Sequence, residues 1–156
     1  MKLEIEPIPE GSWGLSLAHL LPKPVWDTLR REVYAEYGYK CCICGATDKQ
    51  LHCHEVWEYK GNVQRLVNLQ CICVDCHNIK HWGRTVAMLH SGEFTQEYFD
   101  SLKRHFCKVN NCSEREMLNY IVEVGMRYAK RSDKKYRIDF GKFEPNKVVR
   151  IWGKSR

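Results

Sequence analysis

Two Cys-x-x-Cys pairs, Cys41 with Cys44 and Cys73 with Cys76, carry the strongest chemical signal in the chain. A knuckle of this spacing lets two thiolates reach one ion from a tight turn. Two knuckles complete the closed tetrahedral S₄ shell of a structural zinc. A redox role for either pair is the weaker alternative, because two pairs occur together and no βαβ pattern surrounds them. The stretch between the knuckles is short and polar. Zinc ligation supplies the folding free energy that such a stretch lacks, on the order of 10 kcal/mol. Cys42 and Cys71 read as packed thiols. Cys107, Cys112 and His105 leave a further metal site open, without a full ligand set.

Four of the seven histidines, His52, His54, His77 and His81, lie between Cys44 and Trp82. Positions 77 and 81 share a face if they lie on a helix, and two imidazoles at that spacing can grip one divalent ion. The plain alternative is a pair of exposed helix histidines.

The run Leu51-His52-Cys53-His54-Glu55, then Val67-Asn68-Leu69-Gln70, then Cys73-x-x-Cys76-His77-x-x-Lys80-His81 resembles the motif of the HNH endonucleases in its zinc-bearing form. The order His, Asn, His falls on His54, Asn68 and His77, 14 and 9 residues apart, and the likeness spans 39–82, a little over a quarter of the chain. The resemblance implies an α+β fold, a small ββα-metal core with a structural zinc flanked by an N-terminal helix and C-terminal helices. It implies strands carrying His54 and Asn68 and a helix carrying His77 and His81. His54 would be the general base for an attacking water, with Asn68 orienting it. His77 and His81 would hold a divalent ion (Mg²⁺, Mn²⁺, Ni²⁺ or Zn²⁺) that stabilises the leaving 3′-oxygen of a DNA phosphodiester.

The residue before the base is usually Asp or His in that family and ligates the metal; here it is Cys53. A thiolate favours zinc over magnesium. Three readings stay open. Cys53 ligates a transition metal with His77 and His81. His52 or Glu55 takes its place. Or Cys53, His77 and His81 hold a second structural zinc in a module that only binds nucleic acid or a partner protein. Strand alternation points His52 and His54 one way and Cys53 the other.

The elements that must position these residues are partly legible. Residues 1–22 look irregular, punctuated by Pro7, Pro9, Gly11, Gly14 and Pro22. Pro24 opens a helix carrying Val25, Trp26, Leu29, Val33 and Tyr37, and Gly38 ends it. A strand is expected around 51–57, a turn at 60–62 and a helix over 74–82. Thr95 caps a helix bearing Tyr98, Phe99, Leu102 and Phe106. Ser113 and Glu116 form a capping box for another, bearing Leu118, Ile121, Val124 and Tyr128. The tail 136–152 alternates weakly and is expected to be extended. Three regions follow: an N-terminal extension and helix (1–38), the zinc-bearing motif (39–83) and a helical region with a basic tail (84–156).

The net charge of +6 is uneven. Residues 130–156 hold ten Lys or Arg against three Asp or Glu, a net of +7 that leaves the rest at −1. A basic tail suits a polyanion, so DNA is the expected partner, with Lys130, Arg131, Lys134 and Lys135 as candidate phosphate contacts. Solvated lysines without a partner are the plain alternative. No apolar run is long enough for a membrane span, and the acidic start lacks a signal-peptide core. A reducing, cytoplasmic setting of a bacterial or phage type is expected, where nine cysteines serve metal better than disulfides.

Overall fold

A computed structural model describes residues 1–153. The fold is α+β. Its centre is a long antiparallel hairpin, β1 (Leu51–Lys60) and β2 (Val63–Cys73). Gly61, at φ 58°, opens the two-residue turn between them, a conformation that a side chain disfavours. Register shifts between Val56 and Trp57: Val56 faces Asn68, Trp57 faces Leu66, and Val67 is left as a bulge. A three-residue strand, β3 (Arg137–Asp139), runs parallel to the start of β2.

Helices cover both faces of the hairpin. On one face lie α1 (Leu17–Leu20), α2 (Lys23–Glu36) and, near the end of the chain, α7 (Pro145–Trp152). They bury Leu17, Leu21, Val25, Leu29, Val33 and Val148 against Leu66, Leu69 and Cys71 of β2. The helix α2 ends as its sequence requires. Gly38 sits at φ 62°, and the Gly38 and Tyr39 amides donate back to the carbonyls of Ala35 and Tyr34.

On the other face, β2 runs directly into α3 (Val74–Lys80), followed by α4 (Trp82–His90), α5 (Gln96–Asn110) and α6 (Glu114–Ser132). Ile72, Ile79, Trp82, Leu102, Phe106, Met117 and Val124 form this second core. Thr95 caps α5, and Ser113 with Glu116 makes the full capping box of α6. The irregular N-terminus joins the same core: Leu3 and Ile5 are buried in it, and the Glu6 amide donates to the Lys80 carbonyl at 2.9 Å.

The tail departs from the expected extended chain. Only Arg137–Asp139 is strand, and α7 follows with Pro145 in its first turn and the Glu144 side chain accepting from the amides of Asn146 and Lys147. Val148, buried against α2, explains the choice: a helix delivers it into that core while keeping Arg150 in water. Two basic residues counted with the tail, Lys154 and Arg156, lie outside the described residues. Among the described residues no helix is long and apolar enough to cross a membrane.

Candidate functional site

Two groups of metal-competent side chains form among the described residues. Cys41, Cys44, Cys73 and Cys76 bring one sulfur each to within 4.8 Å of one another. The first knuckle is a tight turn. Gly45 sits at φ 76°, its amide donates to the Cys41 carbonyl, and the Cys44 amide points at Cys41 Sγ at 3.5 Å. The second knuckle is the junction of β2 and α3, where Cys73 ends the strand and Cys76 lies in the first helical turn. Cys44 Sγ and Cys73 Sγ are 3.6 Å apart. Hydrogen bonds from the Cys73 and Cys76 thiols hold Cys41 far below the ordinary thiol range, and the same contacts push those two thiols up. Four sulfurs this close suit an ion that takes the place of their protons. The cluster could therefore hold a structural metal ion such as zinc.

The neighbours of this cluster were only partly legible. His105 on α5 places Nε2 3.3 Å from Cys76 Sγ. It therefore serves the four-cysteine group and does not build a separate site with Cys107 and Cys112. Asp75 is buried between Lys49, which forms an ion pair with it, and Tyr98 Oη, which donates to it at 2.9 Å.

The second group is His54, His77 and His81, again with one donor atom each within 4.8 Å. His54 comes from β1 and is 2% exposed. His77 lies on α3, and His81 caps that helix one turn later. Burial, with the neighbouring imidazoles and the Arg84 charge adding to it, lowers His77 to about 2 and His81 to about 4. Both rings are thus neutral and have lone pairs to give at ordinary pH. His77 Nδ1 is buried with no hydrogen-bond partner, as is Nε2 of His52, whose ring stacks on His77 at 4.5 Å. An orphaned imidazole nitrogen beside two further imidazoles fits a transition-metal ion.

Glu6 completes this group and had no sequence signal. Its Oε2 lies 2.8 Å from His54 Nε2 and its Oε1 2.8 Å from Lys80 Nζ. Burial works to raise its pKa, but the hydrogen bonds and charges of His54 and Lys80 prevail and lower it to about 2. A carboxylate on the far nitrogen of a metal-binding imidazole fixes its tautomer and orientation.

Cys53 and Asn68 do not join the group. Cys53 sits on the opposite face of β1, packed against the core beneath α2, where burial, with Glu55 and Cys71 adding to it, pushes its thiol up to about 12. This corrects the reading that makes Cys53 a ligand: strand alternation sends it away and gives the place to His54. Asn68 is exposed beside the bulge, and its amide points at Tyr37 Oη at 3.5 Å while His54 is held by Glu6.

Of the candidate phosphate contacts, Lys130, Lys134 and Lys135 are exposed. Arg131 is engaged within the fold. It donates to the Pro7 carbonyl at 2.9 Å and lies 3.8 Å over the Tyr59 ring. The histidine group lies at the edge of a cleft of about 1050 Å³ whose lining includes Glu6, His52, Arg84 and Tyr128. No protein-family model, no curated protein and no solved structure matches this chain.

Proposed function

We propose that the protein is a metal-dependent nuclease of the HNH type that hydrolyses phosphodiester bonds in DNA. The observation that carries this reading is the three-imidazole group of His54, His77 and His81 facing a large cleft, beside a separate four-cysteine cluster. Closed four-ligand sites are structural, whereas three protein ligands leave a position open for chemistry. When bound there, a divalent ion would supply positive charge to the scissile phosphate and acidify the attacking water. His54, His77 and His81 would hold it. Glu6 would keep the His54 ring in one tautomer, and the stacked His52 ring would hold the plane of His77 in place. The position of His54 among the ligands supports a holding role for it in place of the general-base role that the HNH resemblance implies. Three imidazoles favour Mn²⁺, Ni²⁺ or Zn²⁺ over Mg²⁺. Exposed Lys130, Lys134 and Lys135 would add phosphate contacts.

The test is incubation of the full chain with supercoiled plasmid and with single-stranded circular DNA, each with Mg²⁺, Mn²⁺, Ni²⁺ or Zn²⁺. Strand breaks that require a divalent ion and disappear in His77→Ala and His81→Ala are expected. Intact DNA of both kinds in every metal overturns the reading.

One observation favours a second reading, a non-catalytic zinc module that binds nucleic acid or a partner protein. His54 is bonded to Glu6 and the Asn68 amide faces Tyr37, so the His–Asn pairing that orients a base is absent among the described residues. That reading predicts two tightly held zinc ions per chain and salt-sensitive binding without strand breaks.

A further inference from the structure

The walls of the cleft are aromatic. Trp13, Trp26, Trp57, Trp82 and Tyr128 line it together with the histidines. Trp13 is 62% exposed, yet it is held in place: its Nε1 donates to the Ile8 carbonyl at 3.2 Å and its ring lies parallel to Tyr128 at 6.4 Å. An immobilised tryptophan left open to water is a platform with a free face. Among the described residues Arg84 is the only Lys or Arg lining the cleft, and it makes no ion pair or hydrogen bond there. Its charge reaches His52, His77 and His81. Glu6 is paired with Lys80 and bonded to His54, and Glu55 is occupied by the Leu17 amide and Trp57 Nε1.

A duplex backbone asks for a row of cations along a groove, and Lys130, Lys134 and Lys135 are not in the lining. One cation beside a metal-competent group suits one phosphate. Flat aromatic walls suit the face of an unstacked base, which duplex DNA keeps covered. We propose that the substrate presents an unpaired nucleotide next to the bond to be cut, with its base in the aromatic cleft against Trp13 and its phosphate toward Arg84 and the histidines. This rests on the nuclease reading above.

Binding can be followed apart from cleavage, by anisotropy of a fluorescein-labelled oligothymidylate and of a blunt duplex with the full chain and no added divalent ion. The single strand should bind about tenfold more tightly than the duplex, and Trp13→Ala should remove roughly that factor while Trp13→Phe retains most of it. Arg84→Ala should lower the salt dependence of single-strand binding by about one phosphate contact. Circular dichroism melts of the variants should match the parent, since both side chains are exposed. Equal affinity for the two DNAs, or single-strand binding indifferent to Trp13→Ala in a folded variant, overturns the inference. Cleavage of plasmid and single-stranded circles at equal rates also overturns it and leaves the nuclease reading standing. If neither DNA is cut but oligothymidylate binding depends on Trp13, the nuclease reading falls and the assignment of the cleft to an unpaired base is supported.

Discussion

A single step along β1 decides which side chains join the second metal-competent group. His52 and His54 point toward α3, and Cys53 between them points toward α2, because successive strand residues alternate faces. The sequence motif put weight on Cys53; the pleat gives its place to His54. Glu6 then does for His54 what no neighbour in sequence does, holding its ring through Nε2 at 2.8 Å. Removing that carboxylate should loosen the site without emptying the cysteine cluster. For Glu6→Ala, the affinity of the histidine site for Zn²⁺ or Co²⁺ should fall about 10- to 100-fold in a chelator competition, with one zinc per chain retained. Equal loss from both sites, or no change at either, would refute a specific role for Glu6.

At the level of elements, three helix ends form where a local signal in the sequence puts them. Gly38 closes α2 in the left-handed conformation, Thr95 opens α5, and Ser113 with Glu116 opens α6. The last matters to the cleft because α6 supplies Ile121, Val124 and Tyr128 to its lining. Ser113→Ala orphans the Glu116 amide at that end and should cost about 1 kcal/mol of stability, read as a lower urea midpoint at unchanged slope. The elements that differ from expectation are those whose partners are far away in sequence. The tail turns into α7 because Val148 has a core beneath α2 to enter, and β3 pairs with β2 across more than seventy residues.

For the whole molecule, two cores on opposite faces of one hairpin hold the two metal-competent groups side by side, and this has a pH signature. Folding buries His77 and His81 and lowers both below the ordinary value of 6.5, to about 2 and about 4. A lowered base binds fewer protons in the folded chain than in the unfolded one. Their stabilising contribution is therefore complete above pH 6.5 and drains away as the pH falls toward 4. Urea melts of the parent at pH 7 and pH 5 should show a drop that the His77→Gln/His81→Gln double variant reduces, by on the order of 1–2 kcal/mol. Parallel melts of parent and variant at the two pH values would contradict it. With no divalent ion at the histidine site, the comparison between variants separates this effect from the acid sensitivity that thiolate ligation would add to both.

Local chemistry made the metal frame readable before any fold was known. A Cys-x-x-Cys turn brings its own two sulfurs together, a helix puts residues 77 and 81 on one face, and a capping box satisfies its own amides. These interactions close within a few residues, so spacing alone determines them. The approach of Glu6 to His54 and the engagement of Arg131 with Tyr59 were decided by the tertiary structure. Each joins residues from distant parts of the chain, and each depends on which face of the hairpin is buried against which helix. No local spacing encodes that choice; it is set by how two separate hydrophobic cores divide the faces of a single pair of strands.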